Sequence, residues 1–171
     1  MKIAILGYSG SGKSTLAREL GECRGIPVLH LDSVRFLPRW KEREPAEERR
    51  IVSDFMDRNE NWVIDGNYSS MCRERRLAEA DRIVLLLFDR FSCLRRVVRR
   101  YREFRGQTRP DMGDGCIEKL DAEFVRWVLY KGRTRARRQN YARIAAQYPE
   151  KTVILRNQRE LTRFLQEEKP I

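Results

Sequence analysis

Eight residues near the start of the chain, Gly7-Tyr8-Ser9-Gly10-Ser11-Gly12-Lys13-Ser14, fit the pattern G-x-x-x-x-G-K-[ST]. That spacing can hold the phosphates of a nucleotide. Gly7, Gly10 and Gly12 let the backbone curl around an anion in conformations closed to residues with a Cβ. Lys13 can reach the β and γ phosphates, and the Ser14 hydroxyl can ligate Mg²⁺. Ser9, Ser11 and Thr15 complete the predicted nucleotide-binding set. Such a loop works only where it leaves a buried strand and enters a helix whose first amides face the anion. The apolar run Lys2 to Leu6 supplies the strand. Leu16, Ala17 and Leu20, at helical spacing before Gly21, supply the helix.

The elements needed to position this loop recur along the chain. Five segments read as buried strands: Lys2 to Leu6, Pro27 to Leu31, Trp62 to Ile64, Ile83 to Phe88 and Thr152 to Leu155. Near-continuous apolar strands alternating with helical segments predict an α/β fold, a parallel sheet covered by helices on both faces. In such sheets ligands bind at the carboxyl ends of the strands. After the second predicted strand stands Asp32, which could orient an acceptor hydroxyl, accept its proton, or simply cap the next helix. After the third comes Asp65-Gly66-Asn67-Tyr68, where an acid beside the loop strand suits Mg²⁺. Asp89 is the rival, but it stands where a helix starting at Arg90 needs an N-cap. Between these points, Phe36 to Lys41 mixes aromatic and basic residues, a candidate flap carrying Arg39 and Arg43. Ile51, Val52, Phe55 and Met56 give the helix opening at Pro45 a buried stripe. Arg73, Arg75 and Arg76 are further candidates for holding an acceptor.

With 171 residues the chain reads as one domain, 1–171. Its longest apolar run, Ile83 to Phe88, is far too short to span a bilayer, so no membrane partner is expected, nor is a signal-peptide pattern present. Cys23, Cys72, Cys93 and Cys116 lack C-x-x-C spacing and read as reduced thiols of a cytoplasmic protein. The net charge is +11, with 29 Arg against 7 Lys. From 95 to 143 there are thirteen Arg and two Lys against six acids, or +9, so nearly all the excess lies there. Arginine's planar fork grips phosphate, which points to nucleotide, to nucleic acid, or to a solvated basic face. Helical phase divides these residues. From Arg90 to Arg105 the apolar stripe is Phe91, Leu94, Val97, Val98 and Tyr101, with Arg95 and Arg99 along its flank and Arg96 and Arg100 further around. From Arg133 to Tyr148 the stripe of Tyr141, Ile144, Ala145 and Tyr148 extends toward Arg137 and Arg138. The turn-rich Gly106 to Gly115 between them suits a hinge or lid tip.

Gly7 to Thr15, Asp65-Gly66 and the Arg95-x-x-x-Arg99 pair resemble the nucleoside monophosphate kinase fold, of which adenylate kinase is the familiar member. Adding His30-Leu31-Asp32, Trp62 to Tyr68, Arg105 to Met112 and Gln147-Tyr148-Pro149, the chain resembles over nearly its whole length the bacterial family labelled DNA topology modulation protein, or FlaR-related. The resemblance implies a P-loop NTPase fold with sheet order 2-3-1-4-5, an acceptor-binding insertion at about 33–60 and a helical lid at about 99–138. It also implies ATP and Mg²⁺ as cofactors, with Lys13 on the transferring phosphoryl group, Ser14 and Asp65 serving the metal, and Arg95, Arg99 and Arg137 or Arg138 clamping phosphates. Adenylate kinases continue Asp-Gly with Phe-Pro-Arg, where this chain has Asn67-Tyr68-Ser69, so the arginine that would grip an acceptor phosphate is missing from its usual place. The expected activity is ATP- and Mg²⁺-dependent phosphotransfer to a small nucleotide-like or hydroxyl acceptor. The alternative is a nucleotide-regulated DNA-binding protein acting in topology modulation through the arginine-rich region, with Tyr101, Phe104, Trp127 and Tyr130 available to stack bases.

Overall fold

The structure, a computed structural model, describes residues 1–168. Its centre is a five-stranded parallel sheet. In chain order the elements are β1 (Lys2–Gly7), α1 (Lys13–Arg24), β2 (Val28–His30), α2 (Leu31–Arg35), β3 (Phe36–Leu37), β4 (Lys41–Glu42), α3 (Pro45–Arg58), β5 (Trp62–Asp65), α4 (Arg73–Glu79), β6 (Arg82–Leu86), α5 (Arg90–Glu103), α6 (Ala122–Leu129), α7 (Arg135–Gln147), β7 (Thr152–Leu155) and α8 (Gln158–Glu167). The main sheet runs β2-β5-β1-β6-β7, so its five strands follow the order 2-3-1-4-5 expected from the resemblance. The apolar runs make this sheet because β1, β5 and β6 are sealed on both faces. Ile3, Ile5, Trp62, Ile64, Ile83 and Leu85 are all fully buried.

Three features depart from the sequence reading and shape the site. A helix, α2, starts directly at Leu31, so Asp32 lies inside its first turn and caps nothing. Strands β3 and β4 pair antiparallel in a small separate hairpin that no apolar run announces. On α5 the buried residues are Cys93 and Val97, while Phe91 is 72% exposed. Cys93 behaves as a small core hydrophobe, and one full turn separates it from Val97. That pair turns the helix so that Arg96 and Arg100 lie beside the buried face, while Arg95 and Arg99 are exposed.

The segment between β5 and α4 is held by an unusual group. Arg76 is fully buried, and its guanidinium donates to the carbonyls of Met71 (2.8 Å), Gly66 (3.3 Å) and Tyr68 (2.7 Å). Burial pulls its pKa down to about 10, with no carboxylate in contact to compensate. Arg76 is therefore a bracket for the backbone that carries Asp65, Asn67 and Tyr68, and is not available to an acceptor. Replacing it by Met should lower unfolding free energy by about 3 kcal/mol, since three buried carbonyls lose their donor. Urea unfolding followed by circular dichroism would measure this, and an unchanged midpoint would contradict the bracket role.

Candidate active site

The loop from Gly7 to Gly12 adopts the conformation its glycines permit. Gly7, Gly10 and Gly12 have φ of 149°, 78° and 98°. A Cβ on Gly10 would stand 2.7 Å from the Cys93 carbonyl oxygen, and one on Gly12 would stand 2.7 Å from an Arg96 Nη. Helix α1, like α2, α3 and α4, begins without a side-chain cap, whereas α5, α6, α7 and α8 are capped by Asp89, Asp121, Thr134 and Asn157; only α1 follows the glycine loop. The first-turn amides of α1 are thus left for an outside anion. The Ser11 hydroxyl is buried in the loop without a hydrogen-bond partner. Lys13 folds back so that its Nζ donates to the Tyr8 carbonyl at 3.2 Å.

Asp65, buried at the end of β5, joins three elements. Its Oδ2 accepts from Ser14 Oγ at 3.0 Å, and its Oδ1 accepts from His30 Nδ1. Parallel register makes this possible, because Asp65 is paired with His30 on one side and Ile5 on the other. Burial depresses the His30 pKa, but the hydrogen bond to Asp65 and the charges of Asp65, Asp111 and Asp32 outweigh it and the net shift is upward. Asp89 instead caps α5, accepting from the amides of Phe91 (2.9 Å) and Ser92 (3.0 Å). Among the described residues no three His, Cys, Asp or Glu could hold a metal together. A hydroxyl and a carboxylate within one hydrogen bond nevertheless fit Mg²⁺, which is usually held by one or two protein oxygens plus phosphate.

Asn67, one residue beyond Gly66, grips the loop from the other side. Its side chain accepts from Gly7 N (3.0 Å) and donates to Gly7 O (2.7 Å), and the Tyr141 hydroxyl of α7 donates to the same Oδ1 (3.3 Å). Burial pushes the Tyr141 phenol up to about 12, so it remains a donor. The Tyr141 ring meets the Tyr8 ring edge to face at 5.4 Å. Where an adenylate kinase would carry Phe-Pro-Arg, this chain uses the amide of Asn67 to tie the loop to α7.

The arginines that reach the loop are Arg96 and Arg133, neither of which helical phase selects. Arg96 donates to Ser11 O at 3.0 Å and lies over the Phe88 ring. Arg133 lies 3.9 Å from the Tyr8 ring centre and donates to the carbonyls of Phe88 and Val128, while its buried Nη2 has no partner. Trp127 donates from Nε1 to Ser9 Oγ at 3.1 Å. Arg137, though exposed, stacks on Trp127, and Arg138, Arg95 and Arg99 are likewise exposed. Thr15 is also exposed. Counting Cys93 as a core residue would find Arg96. Arg133 ends a 3-10 helical turn (Lys131–Arg133) between α6 and α7, where α-helical phase has no bearing.

On the opposite side Asp32 accepts from the Tyr68 hydroxyl at 2.7 Å. Burial, then the charge and hydrogen bond of Asp32, push the Tyr68 phenol well above its ordinary range, so the proton stays on tyrosine. The loop from 106 to 117 packs on the β3–β4 hairpin. Cys116 Sγ reaches the Leu37 carbonyl, Trp40 Nε1 donates to Ile117 O at 3.1 Å, and Arg39 N donates to Gly115 O at 3.3 Å. A Cβ on Gly113 would lie 2.1 Å from Phe36 O, so glycine is required for this closeness. Residues 36–41 and 106–117 are therefore in contact.

A family model described as an AAA domain matches residues 3–126. The chain belongs to the AAA domain family. Among solved structures, this AAA-family chain is similar to an uncharacterized protein from Eubacterium ventriosum, at 16% identity and a TM-score of 0.54, covering 98% of this chain and 97% of that one. It is also similar to a gluconokinase from Sinorhizobium meliloti, at 17% identity and a TM-score of 0.50, covering 98% and 89%. These likenesses are of fold, and with the sheet order they agree with a P-loop NTPase α/β fold for the AAA-family chain. No curated protein matches it.

The pairing of Asn67 with Gly7 makes a local prediction. Asn67→Ala removes two hydrogen bonds to the Gly7 peptide and orphans the Tyr141 hydroxyl, which should cost about 2 kcal/mol. Denaturant unfolding of the variant would measure it, with amide hydrogen exchange at Gly7 rising if the loop is freed.

Proposed function

We propose that the protein is an ATP- and Mg²⁺-dependent phosphotransferase of adenylate kinase-like type, transferring the γ-phosphoryl group to a small nucleotide-like or hydroxyl acceptor. The observation that carries this reading is the Ser14–Asp65 hydrogen bond, which joins the residue after Lys13 to a buried acid on the neighbouring strand. Bound Mg²⁺ would neutralise phosphate charge and orient the transferring group. The chain's own residues do the rest. Lys13 leaves the Tyr8 carbonyl for the phosphates. The first-turn amides of α1 and the unpartnered Ser11 hydroxyl donate to phosphate oxygens in place of water. Arg133 offers its free Nη2, with Arg96, Arg137 and Arg138 at the lid side. Asp32 takes the acceptor's hydroxyl proton as that oxygen bonds to phosphorus and the bond to the β-phosphate oxygen breaks, releasing ADP.

In this reading residues 33–60 hold the acceptor and residues 99–138 form the lid. The resemblance to the FlaR-related family supports the same whole-chain architecture, and the cytoplasm, where ATP and thiols are both maintained, is the compartment that suits it. Lys13→Ala should abolish ATP turnover while leaving the melting temperature within a few degrees of wild type. Unchanged turnover in a labelled-ATP assay would remove the loop from the chemistry. Asp65→Asn should reduce Mg²⁺-dependent turnover far more than nucleotide affinity, and equal losses would argue against a metal role.

One observation favours a second reading, nucleotide-regulated DNA binding. Of the thirteen arginines from 95 to 143, only Arg100 and Arg109 form salt bridges among the described residues. Such a face would bind any polyanion, with affinity falling steeply in salt. DNA binding that survives moderate salt, with no phosphotransfer to any acceptor, would favour it over the kinase.

A further inference from the structure

The arginines around the acceptor side are engaged by carboxylates or carbonyls. Arg35, beside the Tyr68 ring, is bound by Glu42 at 2.6 Å and Glu48 at 3.0 Å. Arg43 donates to Glu47 (2.6 Å) and to Val34 O (2.8 Å). Arg75 is held by Asp57 and Glu79, each at 2.6 Å, and Arg76 is sealed against backbone. Arg109 lies between Asp111 (2.8 Å) and Glu118 (2.6 Å), and Arg100 shares Glu118 (2.8 Å). Glu48 and Glu118 are buried, at 0% and 5% exposure. An incoming anion that took Arg35, Arg100 or Arg109 would strand a buried carboxylate, a costly exchange. Among the described residues the cations of this half outside these pairs include Arg39, Lys41, Arg49, Arg58 and Lys119, all exposed, and Arg73, whose charge reaches Tyr141 on the loop side.

The acidic groups are placed differently. Among the described residues Asp32 has only the Tyr68 hydroxyl as a side-chain partner. Together with Asp65 and Asp111 it acts electrostatically on His30, which ends β2 beside Asp65 at the end of β5. An anionic substrate group entering here meets Asp32, and the guanidinium over the neighbouring Tyr68 ring, that of Arg35, is already held by Glu42 and Glu48. An uncharged hydroxyl, or one on a cationic molecule, meets an acceptor for its proton and no opposing charge.

We infer that the acceptor is a hydroxyl compound carrying no phosphate or carboxylate, selected by the pairing of Arg35, Arg43, Arg100 and Arg109 with acids. The inference rests on the phosphotransferase reading and narrows its acceptor class, excluding nucleoside monophosphates. The test is phosphotransfer from γ-labelled ATP to matched pairs: nucleosides and their 5′-monophosphates, polyols and the corresponding sugar acids, with amino alcohols as cationic members. The neutral or cationic member of each accepted pair should show at least tenfold higher kcat/KM. Equal or better use of the anionic member would overturn the inference while leaving phosphotransfer intact. Transfer to no member of any pair would remove the phosphotransferase reading, and this inference with it. Glu48→Gln, which keeps the shape and frees charge on Arg35, should raise use of anionic relative to neutral acceptors several-fold. An unchanged ratio in the folded variant would overturn the role given to the pairing.

Discussion

A carboxylate buried in the interior must be paired, and Asp65 is paired twice, to Ser14 on α1 and to His30 at the end of β2. Both partners are products of the parallel register, which brings the ends of β1, β2 and β5 to one edge of the sheet. The loop from Gly7 to Gly12 occupies that edge. Its glycines allow the turn, but they do not say where the turn should be held. Asp65 fixes its far end through Ser14, and Asn67 fixes its near end through Gly7. Arg76 in turn holds the backbone on which both of those residues ride.

The same edge is where the helical part of the chain comes back onto the sheet. Trp127 touches Ser9, Arg133 covers Tyr8, Arg96 bonds Ser11, and Tyr141 reaches Asn67. Three helices and a turn thus converge on one short loop and the asparagine that holds it. Several of these contacts use polar atoms with spare capacity, such as Arg133 Nη2, and they are of a kind that a phosphate could replace or extend. The loop and its cover form a single unit, and on the other side Arg35, Arg43, Arg100 and Arg109 are engaged by carboxylates.

How far this was legible in the sequence depends on how local each signal is. The glycine spacing, the apolar strand runs and the choice of Asp89 as a helix cap rest on short-range patterns, and the structure puts strand, loop, helix and cap where those patterns place them. Periodicity misplaces the face of α5 because Cys93 is not counted as core, and that one residue decides whether Arg95 or Arg96 faces the loop. Arg76 is indistinguishable in sequence from its exposed neighbours, since its burial is set by the carbonyls of a loop that only folding brings together. Arg133 and Asn67 act through contacts 45 and 60 residues away, which no periodicity reports.

In the proposed function the pairing of Asp65 with Ser14 beside Lys13 serves to move a phosphoryl group, and the ion pairs of the opposite wall favour a receiver without negative charge. Phosphorus NMR of the wild-type protein with ATP, Mg²⁺ and an equimolar mixture of uncharged nucleosides and polyols tests this directly. A new phosphomonoester resonance growing in step with ADP is the expected result. ADP accompanied by inorganic phosphate alone, or no loss of ATP, would contradict it.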